Sequence, residues 1–137
     1  MTIPSLRGKE RRSWESLTTL TDDELYSMLG TEPMYQGPSS KPEYLIIGAT
    51  FEKTKAAIEA GRKRLRRIME SSRAEICKRW RAVKRSKAVF ERIEIVAIIV
   101  EILRWHLESG LAFPLIPAAE LIARSCGYSL DALCSAS

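Results

Sequence analysis

The segment that decides the fold is Val89–Leu107, which reads VFERIEIVAIIVEILRWHL. Its apolar residues recur in alternating steps of four and three, a spacing that places them on one face of a helix. That stripe consists of Val89, Ile93, Val96, Val100, Leu103 and Leu107. Further isoleucines fall on other sides, so the helix is apolar almost all round, as is typical of a central core helix. We therefore expect a central apolar helix over residues 89–109.

A longer amphipathic pattern precedes this segment. Between Phe51 and Val83, apolar residues recur at spacings of seven and four and so share one helical face, with Gly48 and Gly61 as weak points nearby. The polar interval Lys84 to Lys87 separates this pattern from the apolar stripe, and any break should fall near 84–88. The interval contains no Gly or Pro, so either a helical hairpin or one long rod is possible, and we favour a break or kink there.

Shorter helices are predicted towards the N-terminus. Residues 1–8 have the composition of a loose terminus, and Lys9–Leu17 suits a short helix. Thr21-Asp22-Asp23-Glu24 matches a capping box, in which the Thr hydroxyl and the Glu carboxylate satisfy free N–H groups at a helix start. Gly30 is placed to end that helix in the left-handed conformation. Residues 31–41, rich in Pro, Gly and Ser, form a connector.

The remaining boundaries follow from the same signals. A second capping box is predicted at Ser40–Glu43, and Gly110 should end the central helix. Pro117 should open a helix that stops at Gly127, and Ser129 should cap a last short turn. The 137 residues thus predict one all-α domain, a small helical bundle with a long basic amphipathic helix and a central apolar helix.

Charge is unevenly distributed along the chain. The net charge of +5 arises from 22 Lys and Arg against 17 Asp and Glu. Residues 53–92 hold 15 basic and four acidic side chains, a balance of +11, so the other residues carry a balance of −6. Such an asymmetry indicates an anionic partner, or an acidic segment that folds back on the basic one. Acids available for folding back are Glu10, Glu15, Asp22, Asp23 and Glu24.

The basic helix supplies the candidate binding residues. When residues are placed at steps of about 100° with the apolar stripe inward, five cations lie on the outward face. We call this set the basic face: Lys63, Arg67, Lys78, Arg81 and Arg85. Arg64 and Arg73 flank it. Cations about one turn apart can follow a phosphate backbone, so we expect a subunit that contacts nucleic acid without reading its sequence. A merely solvated helix face is the competing interpretation.

Two other functions compete with nucleic-acid binding. The stripe from Val89 to Leu107 could be a seam for self-association or for a partner protein, although it more often packs within its own fold. An enzyme is not expected, because His106 is the only histidine and no phosphate-binding glycine loop or H-E-x-x-H motif occurs. We expect no cofactor and no metal site.

The N-terminal sequence, the apolar stretches and the cysteines predict a cytoplasmic location. The N-terminal sequence has no apolar signal region, and no uncharged apolar stretch is long enough to span a membrane. Cys77, Cys126 and Cys134 are odd in number and lack C-x-x-C spacing, so we expect reduced thiols in a cytoplasmic protein.

Overall fold

The computed structural model describes residues 4–30, 55–106 and 115–135, apart from the side chain of His106. These residues form six α-helices and no strand. In chain order they are α1 (Gly8–Leu17), α2 (Asp22–Gly30), α3 (Lys55–Val83), α4 (Arg92–His106), α5 (Leu115–Ser125) and α6 (Leu130–Ser135). The predicted all-α bundle is therefore confirmed.

The break between the two long helices falls where the polar interval predicted it. After α3, Lys84–Ser86 form one turn of 3₁₀ helix, and Lys87 is extended. The two helices then lie against each other, with Arg79 on α3 donating to Glu101 on α4 at 2.7 Å. A hairpin is therefore formed, and the alternative of one uninterrupted rod is wrong.

The start of α4 differs from the prediction by three residues. The helix begins at Arg92, and Val89 lies before it with 75% of its surface exposed. The cause is a local cap, because the carboxylate of Glu94 accepts the backbone N–H of Glu91 at 2.8 Å. A Glu three residues into a helix that reaches back in this way fixes the helix start. Val89 therefore belongs to the connection and not to the apolar helix face.

The core is centred on α4, as the apolar pattern predicted. Residues 95–100 and Leu103 are all buried, with α5 packed along the same helix. Ala118, Ala119 and Ile122 are buried on α5. Helix α3 covers another side with Leu65, Ile76 and Val83. Each large apolar side chain removed from water in this way contributes about 1.5–3 kcal/mol, so α4 supplies the apolar centre against which α3 is seated.

Helices α2 and α3 cross at two glycines. A Cβ atom added to Gly61 would lie 1.9 Å from the carbonyl oxygen of Tyr26, and one added to Gly30 would lie 1.8 Å from that of Ala57. Gly61 is therefore no weak point, because it allows backbone to touch backbone. The prediction of a left-handed Gly30 is wrong, since Gly30 is the last residue of α2 and has no positive φ.

Other predicted helix ends are confirmed. The Thr21 hydroxyl accepts the N–H of Glu24 at 3.2 Å, and the Glu24 carboxylate accepts the N–H of Thr21 at 2.9 Å. Gly127 ends α5 with a φ of +63°, while the N–H of Tyr128 reaches the carbonyl of Ala123 at 2.7 Å. This is the Schellman arrangement. Ser129 accepts the N–H of Ala132 at 3.3 Å.

The chain ends are more firmly held than their composition suggests. Leu6, within the segment taken for a loose terminus, is buried in the core. Cys77 on α3 is bonded to Cys134 on α6, with a Cα–Cα distance of 5.6 Å. The expectation of reduced thiols is therefore wrong for these two residues. It holds for Cys126, which is free and half-buried, and whose pKa is raised by that burial.

Several predicted features lie outside the described residues. They are the connector at 31–41, the capping box at Ser40–Glu43, Gly48, Phe51, Leu107 and the stop at Gly110. Among the helices that are described, none combines the length and the apolar character needed to cross a membrane.

Candidate nucleic-acid interface

The basic face lies on the side of α3 that points away from the core. Lys63, Arg67, Lys78 and Arg81 are exposed on the helix, and Arg85 is exposed on the 3₁₀ turn that follows it. The opposite side of α3 is held by Leu65, Ile76 and Val83. Because the seven- and four-residue spacing places the apolar residues on the inward face of α3, the cations lie on the outward face.

The cations of the basic face have no acidic partner among the residues that the structure describes. Among the described residues, no carboxylate oxygen lies within 4.0 Å of a side-chain nitrogen of Lys63, Arg67, Lys78, Arg81 or Arg85. This distinguishes the five cations from neighbouring ones. Arg62 lies 3.4 Å from Asp23 and 4.0 Å from Glu59, and also stacks over the ring of Tyr26. Within the part of the chain that the structure describes, the basic face is thus a row of exposed cations without ion pairs.

The acidic N-terminal segment uses its charges elsewhere. Glu10 pairs with Arg104 on α4, Glu15 with Arg11 on its own helix, and Asp22 with Arg124 on α5. Glu24 serves the cap of α2. Of the five acids proposed to fold back, Asp23 reaches α3, where it contacts Arg62. Glu10, Glu15 and Asp22 thus pair with cations outside the basic face.

Arg64 and Arg73, which the sequence placed beside the basic face, have intramolecular partners. Arg64 donates to the carbonyl of Leu29 at 2.9 Å, and Arg73 donates to the carbonyl of Leu133 at 2.6 Å. Both carbonyls belong to the last turn of a short helix, where backbone oxygens lack helical partners. These two arginines therefore hold α2 and α6 against α3.

Lys84 and Lys87, which flank Arg85 in the sequence, both form ion pairs. Lys84 lies 3.4 Å from Asp131, and Lys87 lies 2.9 Å from Glu94. The pKa of Asp131 is lowered, chiefly because its carboxylate accepts the indole N–H of Trp80 at 2.8 Å and secondly because of Lys84. The pKa of Glu94 is lowered first by its bond from Glu91 and then by Lys87. Trp80 itself is buried.

A second polar cluster, which the sequence did not reveal, is buried between α1 and α5. Glu120 is fully buried, and three donors meet its carboxylate. They are the indole N–H of Trp14 at 2.9 Å, the Arg124 guanidinium at 2.7 Å and the Tyr128 hydroxyl at 2.5 Å. The only signal in the sequence was the i,i+4 spacing of Glu120 and Arg124, which also occurs on exposed helix surfaces.

Arg124 links this buried cluster to the N-terminal helices. It donates to the backbone carbonyls of Leu17 and Leu20, at 3.2 Å and 2.8 Å, and to the carboxylate of Asp22 at 3.0 Å. Burial by itself would lower the pKa of Arg124, but its bonds to Asp22 and Glu120 outweigh burial and raise it. Burial and the bond to Glu120 also raise the pKa of Tyr128. The cluster thus joins α1, α2 and α5.

The predicted assembly stripe lies mostly inside the protein. Val96, Val100 and Leu103 are buried in the core, and Ile93 is half-buried.

In the described parts of the chain, no group of three or more His, Cys, Asp and Glu side chains could hold a metal ion. No family model, curated protein or solved structure matches the chain.

Proposed function

We propose that this protein binds the sugar–phosphate backbone of nucleic acid through the basic face. One observation carries the proposal: five exposed cations lie on α3 and the 3₁₀ turn that follows it, and they have no ion pair with another described residue. Neutralising phosphates with Lys and Arg releases condensed counterions, which favours binding. Contacts of this kind orient the protein but carry no base sequence, so binding should be weakly selective for sequence.

The charges around the basic face support an anionic partner. The segment that contains α3 carries most of the cations of the chain, and the acids of α1 and α2 pair mainly with other residues. Lys63 and Arg67 are one helical turn apart, as are Lys78 and Arg81. An incoming phosphate therefore meets neighbouring cations without first breaking an internal ion pair.

The test compares two triple variants with the same loss of charge. Lys63→Gln, Lys78→Gln and Arg81→Gln together remove three cations from the basic face. Lys9→Gln, Arg11→Gln and Arg12→Gln remove three exposed cations from α1. Binding to a labelled oligonucleotide is measured by fluorescence anisotropy over a series of salt concentrations, with the protein kept oxidised.

The expected result is specific to the basic face. The first variant should bind more weakly, and the magnitude of its salt slope should fall by about 2–3 for the three lost contacts. The α1 variant should keep nearly the full slope. Equal losses in both variants would mean that only net charge matters, and absence of salt-dependent binding by the unmodified protein would overturn the proposal.

Assembly through the apolar stripe remains the alternative prediction, with less support. Three members of the stripe are buried within the chain itself, and Val89 lies outside the helix. Light-scattering measurement of molar mass tests self-association. A concentration-dependent dimer that is lost in Ile93→Lys, at the half-buried edge of the stripe, would favour this alternative.

The absence of enzymatic activity and the cytoplasmic location also stay predictions. The side chain of His106, the one histidine of the sequence, lies outside the described residues. The prediction of a cytoplasmic location depends partly on reduced thiols. The Cys77–Cys134 bond removes that support, because disulfides are rare in cytosolic proteins.

A further inference from the structure

The basic face is divided into two clusters with an acidic and neutral interval between them. Lys63 and Arg67 form one cluster, while Lys78, Arg81 and Arg85 form the other. Arg67 and Lys78 are 11 positions apart, which is about 16 Å along the helix axis and only about 20° around it. The two clusters therefore point in nearly the same direction from two separated places on α3.

The interval between the clusters is unsuited to phosphate. Glu70 and Glu75 are exposed on its two sides, and the outward positions between them are held by Ser71 and Ala74. The Ser71 hydroxyl donates to the carbonyl of Ile68 at 3.1 Å, so it is engaged within the helix. A single strand laid along the basic face would carry its phosphates past two carboxylates, which repel them.

The side chains of α3 also lack the means to hold unpaired bases. Single-strand binding surfaces combine cations with exposed aromatic rings on which bases stack. The only aromatic residue of α3 is Trp80, and it is buried with its indole N–H bonded to Asp131. The interval offers no aromatic ring to a base, and its long polar side chains are the carboxylates of Glu70 and Glu75 and the engaged Arg73.

We infer that the partner of the basic face is duplex DNA, with the two clusters resting on the two phosphate strands that border one major groove. This inference rests on the proposed function. The major groove of B-form DNA is about 12 Å wide, so phosphates on its two sides are reached by cation clusters about 16 Å apart. Glu70 and Glu75, each about 4.5 Å along the axis from the nearest cation, then lie between the two strands and over the groove. Ser71 and Ala74 allow close approach there without reading the bases.

The experiment uses three labelled partners of one sequence with the oxidised full-length protein: a DNA duplex of about 20 base pairs, one of its single strands, and the corresponding RNA duplex. The RNA duplex has a narrow major groove that side chains do not enter. We expect the DNA duplex to bind at least about tenfold more tightly than the other two at equal salt, with a slope that reflects about five contacts.

Variants distinguish a two-strand arrangement from general attraction to charge. Lys63→Ala with Arg67→Ala, and separately Lys78→Ala with Arg81→Ala, should each remove most of the preference for duplex DNA, because either cluster alone reaches only one strand. Ala74→Lys places a cation in the interval and should strengthen single-strand binding more than duplex binding. Ala60→Lys, on an exposed position outside the interval, is its matched control and should change the two affinities equally.

The outcomes separate this inference from the proposed function. Tighter or equal binding to the single strand or to the RNA duplex would overturn the inference and leave backbone binding in place. The same would follow if Ala74→Lys and Ala60→Lys had equal effects. Failure of the unmodified protein to bind all three partners at low salt would overturn both.

Discussion

Two groups of cations in this protein have the same chemistry and opposite surroundings. The basic face presents Lys and Arg to solvent, whereas Arg64, Arg73 and Arg124 donate to backbone carbonyls at the ends of helices. The first group adds little to folding, because exposed charges contribute near zero to stability. The second group joins helices through charge-assisted hydrogen bonds. The function of a cation in this chain is therefore set by what lies within reach of its side chain.

The comparison is tested most severely at Arg124. Arg124→Ala should destabilise the protein by about 3–5 kcal/mol, because it leaves the carboxylate of Glu120 buried without its cation. Urea denaturation measures the change. Arg124→Lys keeps the charge without the planar fork and should recover part of the loss. The matched change on the basic face, Lys78→Ala, should stay within about 0.5 kcal/mol. Similar losses for Arg124→Ala and Lys78→Ala would contradict the distinction.

The next effect concerns α6, which both Arg73 and a covalent bond attach to α3. Replacing Cys77 and Cys134 by Ser should lower the free energy of unfolding by about 2–4 kcal/mol, because the unfolded chain is no longer constrained. Thermal unfolding with and without a thiol reductant measures this effect in the unmodified protein. Cys126→Ser, which leaves the bond intact, is the control. An unfolding midpoint that reductant does not move would contradict the covalent attachment.

A smaller effect is expected where α2 meets the inner side of α3. Helix propensity alone predicts that Gly61→Ala stabilises α3 by about 1 kcal/mol. The structure predicts the opposite sign, a loss of about 1–3 kcal/mol, because the new Cβ would overlap the carbonyl oxygen of Tyr26. Ala74→Gly, at an exposed position on the same helix, reports propensity without overlap. A gain in stability for Gly61→Ala would mean that α2 does not pack so closely on α3.

The smallest effect is expected at Asp131, whose carboxylate accepts the indole N–H of Trp80 and also lies 3.4 Å from Lys84. Because the pKa of Asp131 in the folded protein is below its ordinary value, the contribution of this carboxylate is present above that ordinary value. It is lost as the pH falls through the lowered one. Asp131→Asn should therefore flatten the acid limb of a plot of stability against pH, by less than about 1 kcal/mol for so exposed a pair. A profile that is unchanged in this variant would contradict the shift.

Much of the fold could be predicted because it depends on local rules. The apolar spacing of α4 identified the central helix, and the capping residues at Thr21, Gly127 and Ser129 marked helix ends. The break at 84–88 followed from the loss of the apolar stripe. The start of α4 was misplaced because Val89 fits the repeat, while the deciding interaction is between Glu91 and Glu94.

The contacts that could not be predicted join residues far apart in the chain. Trp14 and Glu120 are separated by 106 positions, and Cys77 and Cys134 by 57. No spacing rule connects such pairs. The role of Gly61 depends on where α2 crosses it, and the roles of Arg64 and Arg73 depend on which helix ends come within reach. Periodicity alone located the basic face. The packed structure was needed to distinguish its exposed cations from those that donate hydrogen bonds within the protein.

The bond between Cys77 and Cys134 has a mechanical consequence. It closes a covalent ring around the chain segment that holds α4 and α5, with the ends of the ring 57 positions apart. A molecule stretched from its two termini would transmit tension through the sulfur atoms and leave the ring slack. Its extended length would be shorter by roughly 190 Å than that of the reduced chain. In the stretched chain, tension therefore passes through the disulfide and bypasses α4 and α5.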